Sequence, residues 1–378
     1  MQMVDLEGQY MKIKKEVDTA IQEVIDNAAF INGPAVKEFI RDMNCYMDGC
    51  HVIPCGNGTD ALQIALIALG LRPGDEVIVP AFTYVASAEV IGLLGLTPVM
   101  VDVDYDTFNV TIENIKKGLS DKTRAIIPVH LFGQSCDMEP ISEFAKEHNL
   151  YVIEDNAQAI GAEYTFADGH KEKTGTMGTI GCTSFFPSKN LGCYGDGGAI
   201  FCKDNMLAER IRMIANHGQQ VKYHHSVIGC NSRLDSIQAA VLNVKLKHLD
   251  EYNRVRAKAA HYYSERLKIL DPKEDYLITP EEQEKSTHVY HQYTLKIKNG
   301  KRDALKQHLA ESGIPSMIYY PLPLQEQEAF KGIARAGGEL RTAKVLAESV
   351  LSLPMHTELS QEMQDWVIDG IRTFIKKQ

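Results

Sequence analysis

A glycine-rich turn early in the chain could bind a phosphate. Residues 56–61 have the sequence Gly-Asn-Gly-Thr-Asp-Ala, directly after a predicted strand, and they open a predicted helix over 60–70. Backbone N–H groups at a helix N-terminus favour anions. The turn also satisfies the loose dinucleotide pattern GxGxxA, but the next strand ends at Val79-Pro80-Ala81-Phe82 without the acidic residue that would hold a ribose. A single phosphate is therefore favoured over NAD, and a plain glycine-rich turn is the alternative.

A carboxylate and a lysine further along the chain could complete a chemical site. Asp155 ends an apolar strand, which is where open α/β sheets place their ligands, and it could pair with a protonated ring nitrogen. Lys189 lies among small and aromatic residues, where desolvation could remove its charge, as a Schiff-base lysine requires. Taken singly, Asp155 could equally cap a helix and Lys189 could be a surface lysine. Together with the phosphate turn, they occur in the order expected for pyridoxal phosphate (PLP) binding.

The segments that would position these residues alternate between the hydrophobic patterns of strands and of helices. Short apolar runs rich in β-branched residues are each followed by a helix-length amphipathic segment, which predicts an α/β fold with a mostly parallel sheet. The last two runs are joined without a helical pattern, so that pair could be antiparallel. We predict a helix over 11–27 and then a seven-stranded sheet over about residues 45–205. The predicted strands are 51–54, 76–80, 98–103, 125–131, 151–154, 182–186 and 198–202.

The pattern changes after residue 236. A charged helical segment of about 35 residues predicts one long connecting helix. Beyond it, predicted strands over 290–297 and 316–320, a helix over 302–312 and a terminal helix after 360 indicate a small α+β domain. We therefore predict a large domain over 1–245 and a small C-terminal domain over 246–378.

Composition excludes several classes of protein. The 378 residues are 44% hydrophobic, carry a net charge of −10 and show no basic stripe, which argues against nucleic acid and anionic membrane as partners. The apolar stretches are too short to span a bilayer, and no secretory signal is evident, so a cytoplasmic protein is expected. Eight cysteines without a CxxC pair are typical of reduced thiols. Because the spacing of Cys45, Cys50 and Cys55 matches no common zinc pattern, we expect them to pack in the core and predict no metal site.

Five motifs, in a fixed order along the chain, also resemble those of a known family. The chain resembles the DegT/StrS family of PLP-dependent nucleotide-sugar aminotransferases over essentially its whole length, and most closely its members that act on UDP-2-acetamido-2-deoxy-3-oxo-glucuronate. The resemblance implies PLP fold type I, the aspartate aminotransferase-like fold. The motifs are Cys-Gly-Asn-Gly-Thr-Asp-Ala-Leu at 55–62, Pro-Ala-Phe-Thr-Tyr-Val-Ala-Ser at 80–87, Ile-Glu-Asp-Asn-Ala-Gln at 153–158, Ser-Phe-Phe-Pro-Ser-Lys at 184–189 and Asn-Ser-Arg-Leu-Asp at 231–235.

The resemblance implies a role for each residue around the cofactor ring. Lys189 would hold PLP as a Schiff base and then move a proton, and Asp155 would keep the pyridinium nitrogen protonated. Gln158 would donate a hydrogen bond to the phenolic oxygen, and Tyr84 would stack on the ring.

The resemblance also implies a phosphate site built by two subunits. Gly58, Thr59 and Ser184 would bind the phosphate together with Asn231, which in relatives arrives from the other subunit. The chain would therefore be a homodimer with shared active sites.

The substrate residues are implied by the same resemblance. Arg233 would face a sugar carboxylate, for which a guanidinium fork is suited, although a structural ion pair is the alternative. Tyr319 and Tyr320 would lie near the sugar, but Tyr319 stands where the family usually has His. His217 and the run 223–225 could line the nucleotide site or simply be polar loop residues.

The function implied is transfer of an amino group from glutamate, yielding 2-oxoglutarate, to a keto carbon of a nucleotide-linked sugar, C3 of UDP-2-acetamido-3-keto-glucuronate. Lipopolysaccharide, O-antigen or antibiotic sugar synthesis would use the product. Dehydratases of the family have a His in place of the lysine, so Lys189 argues against that branch. The alternatives are a dTDP-3-keto-6-deoxyhexose 3-aminotransferase, a non-catalytic PLP-binding regulatory protein and an NAD-dependent sugar oxidoreductase.

Overall fold

The computed structural model describes residues 1–377. Helices are distributed along this whole range, and they cover both the sheet region and the C-terminal part. They are α1 Leu6–Asp26, α2 Pro34–Tyr46, α3 Gly58–Ala68, α4 Ala86–Leu93, α5 Ile112–Gly118, α6 Met138–Glu147, α7 Asn205–Ala215, α8 Ser236–Leu246, α9 Leu249–Leu270, α10 Arg302–Glu311, α11 Arg341–Ser349 and α12 Gln361–Ile375, with 3-10 turns at Leu131–Gly133, Leu324–Glu326 and Glu328–Phe330.

The strands alternate with these helices in the first half of the chain. They form one large sheet, one small sheet and two short hairpins. They are β1 His51–Cys55, β2 Glu76–Pro80, β3 Thr97–Val101, β4 Thr123–Ile126, β5 Tyr151–Asp155, β6 Glu163–Thr165, β7 Lys171–Lys173, β8 Ile180–Ser184, β9 Gly198–Cys202, β10 Gln219–Val221, β11 His224–His225, β12 Leu277–Ile278, β13 Tyr293–Ile297, β14 Arg335–Ala336 and β15 Val350–Leu353.

The large sheet has the strand order β1-β9-β8-β5-β4-β2-β3-β14. From β8 to β14 every pair is parallel, whereas β9 is antiparallel to both β8 and β1. The predicted α/β class with a mostly parallel sheet and the antiparallel last pair are thus confirmed. Buried residues at all five positions of β2 and of β9 agree with a sheet that is covered on both faces.

Seven strands of the large sheet come from residues 45–205 as predicted, but the complete sheet has eight. The eighth strand, β14, comes from the C-terminal part of the chain and pairs with β3. Arg335 fixes it there, because its guanidinium nitrogens donate to both carboxylate oxygens of Glu76 at 3.1 and 2.6 Å. Two residues carry no periodicity, so the sequence pattern could not reveal this strand.

Other predicted boundaries also shift. The strand predicted over 125–131 ends at Ile126, since Pro128 has no N–H to donate, although Val129 still forms an isolated bridge with Asp155. The single long connecting helix is two helices, α8 and α9, with a break at residues 247–248. The predicted domain boundary at 245/246 lies beside this break and stays a prediction.

The C-terminal part contains its own small antiparallel sheet, β12-β13-β15. Side chains from α9, α10 and α12 pack with it in a separate apolar cluster. The strand predicted over 316–320 is absent from the described chain, where only Met317 forms an isolated bridge, to Ser352. Cys45 is exposed, which contradicts the prediction of core packing for it, whereas Cys50 and Cys55 are buried as expected.

Within residues 1–377, none of the helices is long and apolar enough to cross a bilayer.

Candidate active site

A cavity of about 610 Å³ lies at the carboxyl ends of β2, β5 and β8. Parallel strands deliver their following loops to this edge of a sheet, which is why ligands bind there. The structure brings nine of the eleven predicted site residues to its wall. These are Gly58, Thr59, Tyr84, Asp155, Gln158, Ser184, Lys189, Tyr319 and Tyr320.

Asp155 is held in place by two hydrogen bonds to its carboxylate. Ser87 Oγ donates to Oδ2 at 2.7 Å, and the backbone N–H of Ala157 donates to Oδ1 at 3.1 Å. Only 5% of the residue is exposed. The carboxylate is therefore a fixed negative group inside the cavity, and its helix-cap alternative is not what the structure shows.

The neighbouring Glu154 anchors the strand end from the opposite face. Its carboxylate is fully buried and accepts hydrogen bonds from the backbone N–H groups of Gly175 and Met177, both at 2.7 Å. His130 Nδ1 accepts from the N–H of Cys136 at 3.1 Å, so its Nε2 carries the proton and donates to Glu154 at 2.9 Å. These hydrogen bonds tie the end of β5, which carries Asp155, to the two neighbouring loops.

Gln158 has an amide whose orientation is defined by its partners. Its Oε1 accepts from the backbone N–H of Phe132 at 2.7 Å, and its Nε2 donates to the hydroxyl of Tyr320 at 3.1 Å. The amide nitrogen therefore lies on the cavity side and keeps one N–H for a ligand oxygen.

Lys189 is placed by a tight turn after β8. Its backbone N–H donates to the carbonyl of Phe186 at 2.8 Å. A Cβ on Gly192 would lie 2.4 Å from the carbonyl oxygen of Pro187, so the turn requires glycine there. Desolvation lowers the pKa of Lys189 to about 8, although the nearby Asp155 carboxylate opposes the shift. The lysine is thus a poised amine and not an ordinary surface side chain.

The predicted phosphate turn opens α3 as a helix N-terminus facing the cavity. Asn57 caps the helix by accepting from the N–H of Asp60 at 2.7 Å. The hydroxyl of Ser232 donates to the Asp60 carboxylate at 2.6 Å. A Cβ on Gly58 would lie 2.7 Å from the Cβ of Ser184, so glycine allows the two segments to approach closely. An anion fits against this helix end.

Aromatic side chains form another part of the wall. Tyr84 is 55% exposed, and its ring centroid lies 6.1 Å from that of Tyr320. Burial raises the pKa of Tyr320, so its hydroxyl stays protonated at neutral pH. An exposed ring at a cavity wall is a surface on which a flat ligand can stack.

Asn231 and Arg233 are not brought into this cavity. Asn231 is exposed and forms an isolated bridge with Asn216, while Arg233 is half-buried. In the described chain, Arg233 takes part in no ion pair. The roles predicted for both residues remain predictions. His217 and the run 223–225 also lie outside the cavity, in and beside the β10–β11 hairpin.

Several residues of the site were not predicted: Ser87, which supports Asp155 from behind the cavity wall, and the wall residues His291 and Gln292. Ser87 follows the carboxyl end of β2, so its position after a strand was a usable signal. His291 and Gln292 come from the loop before β13, far along the chain, and no local pattern pointed to them. His291 is 5% exposed and its Nδ1 has no partner among the described residues.

The family model of the DegT/DnrJ/EryC1/StrS aminotransferases matches residues 11–372. The chain belongs to this family.

Three relatives are similar over nearly the whole chain. A pleiotropic regulatory protein of Geobacillus stearothermophilus is 46% identical, covering 99% of this chain and 98% of the relative. A UDP-N-acetyl-3-dehydro-alpha-D-glucosamine 3-aminotransferase of Acidithiobacillus ferrooxidans is 44% identical, with 99% and 97% covered. A UDP-2-acetamido-2-deoxy-3-oxo-D-glucuronate aminotransferase of Pseudomonas aeruginosa is 42% identical, with 95% and 96% covered.

Two similar solved structures support PLP fold type I and the cofactor. A DegT/DnrJ/EryC1/StrS aminotransferase from Brucella abortus has a TM-score of 0.92 and 42% identity, with 99% of each chain covered. NtdA from Bacillus subtilis, solved with bound PMP, has a TM-score of 0.87 and 31% identity, covering 97% of this chain and 82% of that chain. This family member is thus a PLP-dependent aminotransferase.

The donor set of the cavity fits that cofactor. A helix N-terminus can take its phosphate, the Asp155 carboxylate can take its ring nitrogen, and the amine of Lys189 can reach its aldehyde from the same wall. When bound, PLP carries the amino group between two substrates and stabilises the negative charge that develops beside the nitrogen.

Proposed function

We propose that this aminotransferase moves an amino group from glutamate to C3 of a UDP-linked 2-acetamido-3-keto sugar, and that the sugar is the glucuronate. Two relatives that cover nearly the whole chain, at 42% and 44% identity, are named for UDP sugars with an oxo or dehydro group at carbon 3. The names of these relatives support the choice of sugar, and one cavity wall shared by Lys189, Asp155 and the N-terminus of α3 is the observation that carries the transfer chemistry. The product would serve surface-polysaccharide synthesis in the cytoplasm.

In the proposed reaction, Lys189 performs the proton transfers. Its amine, with a pKa of about 8, can bond to the cofactor and, once released, can take a proton from the carbon next to the donor nitrogen. The same amine would then give up that proton again, so the lysine ends the transfer with the protons it had at the start.

The other wall residues bind and orient. Asp155 keeps the ring nitrogen protonated, and the Ser87 hydroxyl holds that carboxylate at 2.7 Å. Gln158 offers its free N–H to the phenolic oxygen. Gly58 and Thr59 offer backbone N–H groups to the phosphate, with the hydroxyl of Ser184 as a further donor, and Tyr84 covers one ring face.

Arg233 decides the finer assignment to a uronate. The two similar aminotransferases differ in the sugar for which they are named, which is a glucuronate for one and a glucosamine for the other. A guanidinium without an ion-pair partner in the described chain is available for a carboxylate. Because Arg233 and Asn231 lie outside the cavity of their own chain, we propose that they serve the site of a second subunit in a homodimer.

A regulatory role without turnover is the second candidate, because one relative is named as a pleiotropic regulatory protein. The poised Lys189 beside Asp155 favours catalysis, since binding alone would not require a lysine with a lowered pKa.

The test is an assay of the purified PLP-loaded protein with glutamate and three sugars. These are UDP-2-acetamido-3-keto-glucuronate, UDP-N-acetyl-3-dehydro-glucosamine and a dTDP-3-keto-6-deoxyhexose. We expect 2-oxoglutarate to form fastest with the glucuronate, and Lys189→Ala to be inactive as the matched control. Preference for either other sugar would contradict the uronate assignment, and no turnover with any of them would favour the regulatory role.

A further inference from the structure

The residue after Lys189 is buried and ties the lysine turn to two distant segments. Asn190 is 3% exposed, and its Nδ2 donates to Asn253 Oδ1 at 2.7 Å and to the carbonyl oxygen of Val289 at 2.9 Å. Asn253 lies on α9, is 8% exposed and donates through its own Nδ2 to the carbonyl of Ile160 at 3.1 Å. The backbone that carries Lys189 is thus bound to α9 by a pair of side-chain amides.

The side chain of Lys189 has no comparable support. Among the described residues, the Lys189 amine is influenced by burial and by the charge of Asp155 but by no side-chain hydrogen bond, and the backbone N–H of Lys189 donates to the carbonyl of Phe186. The position of the amine therefore depends on the turn, and the turn depends on Asn190. The second partner of Asn190, Val289, belongs to the loop that brings His291 and Gln292 to the cavity wall. One amide thereby sets the lysine turn and that wall relative to each other.

We propose that Asn253 is a positioning residue for Lys189 and acts through Asn190. The inference rests on the proposed function in so far as Lys189 bonds to the cofactor. Asn253 does not line the active-site cavity, and it is joined to the lysine turn through Asn190. Its contribution should therefore appear in the chemistry of the amine and not in the binding of phosphate or sugar.

The fold should tolerate truncation of Asn253. Its side chain also lines a second cavity of about 540 Å³, which has Tyr46, Lys173 and Asp250 among its wall residues. Removal of the amide would enlarge a polar, solvent-accessible cavity instead of creating a sealed void, and water can occupy such a space. Asn243 supplies a matched control, since this buried asparagine of α8 donates to the carbonyl of Ala35 at 3.0 Å and has no link to Lys189.

The experiment measures covalent capture of PLP by stopped-flow absorbance after mixing with the cofactor-free protein. For Asn253→Ala we expect the capture rate and kcat to fall about tenfold, with KM for the nucleotide sugar unchanged. Asn243→Ala should react like the wild type.

A second measurement separates positioning from binding. In a Lys189→Ala background, adding Asn253→Ala should leave the dissociation constant for PLP unchanged, because the proposed effect passes only through the lysine. Asn190→Ala removes the other half of the same contact and should reproduce the slow capture if Asn253→Ala does not fold.

Wild-type capture rates in both Asn253→Ala and Asn190→Ala would overturn the inference, as would a weaker dissociation constant for PLP when Asn253→Ala is added to the Lys189→Ala background. Retention of the covalent absorbance in Lys189→Ala would instead contradict the proposed function, so the two failures are distinct.

Discussion

Ser87, in the first turn of α4, donates a 2.7 Å hydrogen bond to the carboxylate of Asp155 at the end of β5. Both residues are buried, at 1% and 5% exposure. A carboxylate oxygen thus meets a fixed donor before any ligand binds, and the direction of Asp155 is set by a helix that follows a different strand.

Removal of this donor should slow the enzyme. A hydrogen bond to a charged group contributes about 1.5–3 kcal/mol, so Ser87→Ala should lower kcat and PLP affinity together by about tenfold to a hundredfold. Ser87→Thr keeps the hydroxyl and is the control. Equal kinetics in Ser87→Ala and wild type would mean that Ala157 alone orients the carboxylate.

Lys189→Met should abolish transamination and stabilise the cofactor-free fold below pH 8. Because the folded pKa is about 8 against an ordinary 10.5, the charged lysine costs the folded state at most about 3 kcal/mol below pH 8. The cost decreases as pH rises from 8 to 10.5 and is absent above that range. Urea unfolding of both cofactor-free proteins at pH 7 and pH 10, at one protein concentration, measures the difference. If the stability difference between the two proteins does not change with pH, the pKa of Lys189 is not lowered by desolvation.

Asp155→Asn should retain PLP but lose most activity. The neutral amide keeps the shape of the side chain and its place beside Ser87, yet it cannot stabilise a protonated ring nitrogen. We expect kcat to fall at least about a hundredfold while bound PLP stays near one per chain. Cofactor content by absorbance and turnover with glutamate test this. Unchanged turnover would mean that another residue stabilises the protonated ring nitrogen.

Arg233→Ala should discriminate between substrates. Loss of a charge-assisted contact in a partly buried site costs about 2–5 kcal/mol, or about 30-fold to several thousandfold in kcat/KM on UDP-2-acetamido-3-keto-glucuronate. The glucosamine counterpart lacks the carboxylate and should be affected much less. Arg233→Lys keeps the positive charge but loses the two-pronged guanidinium, so its kcat/KM on the glucuronate should lie between those of wild type and Arg233→Ala. If the alanine variant slows both sugars equally, Arg233 does not bind the carboxylate.

Asn231 allows a direct test of shared active sites. If Asn231 binds the phosphate as proposed, Asn231→Asp would place a negative charge beside it and should be inactive, as should Lys189→Ala. If Asn231 of the partner subunit completes each site, mixed dimers of the two variants contain one intact site, and activity should recover to about a quarter of wild type. If Asn231 served its own chain, every site in the mixture would carry a defect and no activity would return.

The alternation of apolar runs and helical segments was sufficient to predict the parallel sheet, because burial on both faces leaves a clear signature in residues such as 76–80 and 198–202. The same pattern did not predict features that depend on a few individual contacts. The edge strand β14 is held by Arg335 and Glu76, and the break between α8 and α9 occurs inside a continuous helical pattern.

In the active site, too, some residues were predictable from the sequence and others were not. Residues that follow strands or belong to motifs, such as Asp155 and Lys189, were predicted and lie on one wall. His291 arrives from the loop before β13, and Asn253 from α9, so only the folded chain shows their connection to the lysine. Asn231 and Arg233 stay predictions, because their roles depend on a second copy of the chain.

The late position of β14 has a consequence for synthesis on the ribosome. The outer edge of β3 gains its neighbour only when Arg335–Ala336 emerges, long after the other strands of the large sheet have been translated. Until then a nascent chain exposes unpaired backbone groups along an apolar strand, and neighbouring nascent chains on one messenger could pair through it. Slow translation between β9 and β14 would therefore lower the yield of folded enzyme, and a chaperone that covers strand edges would raise it.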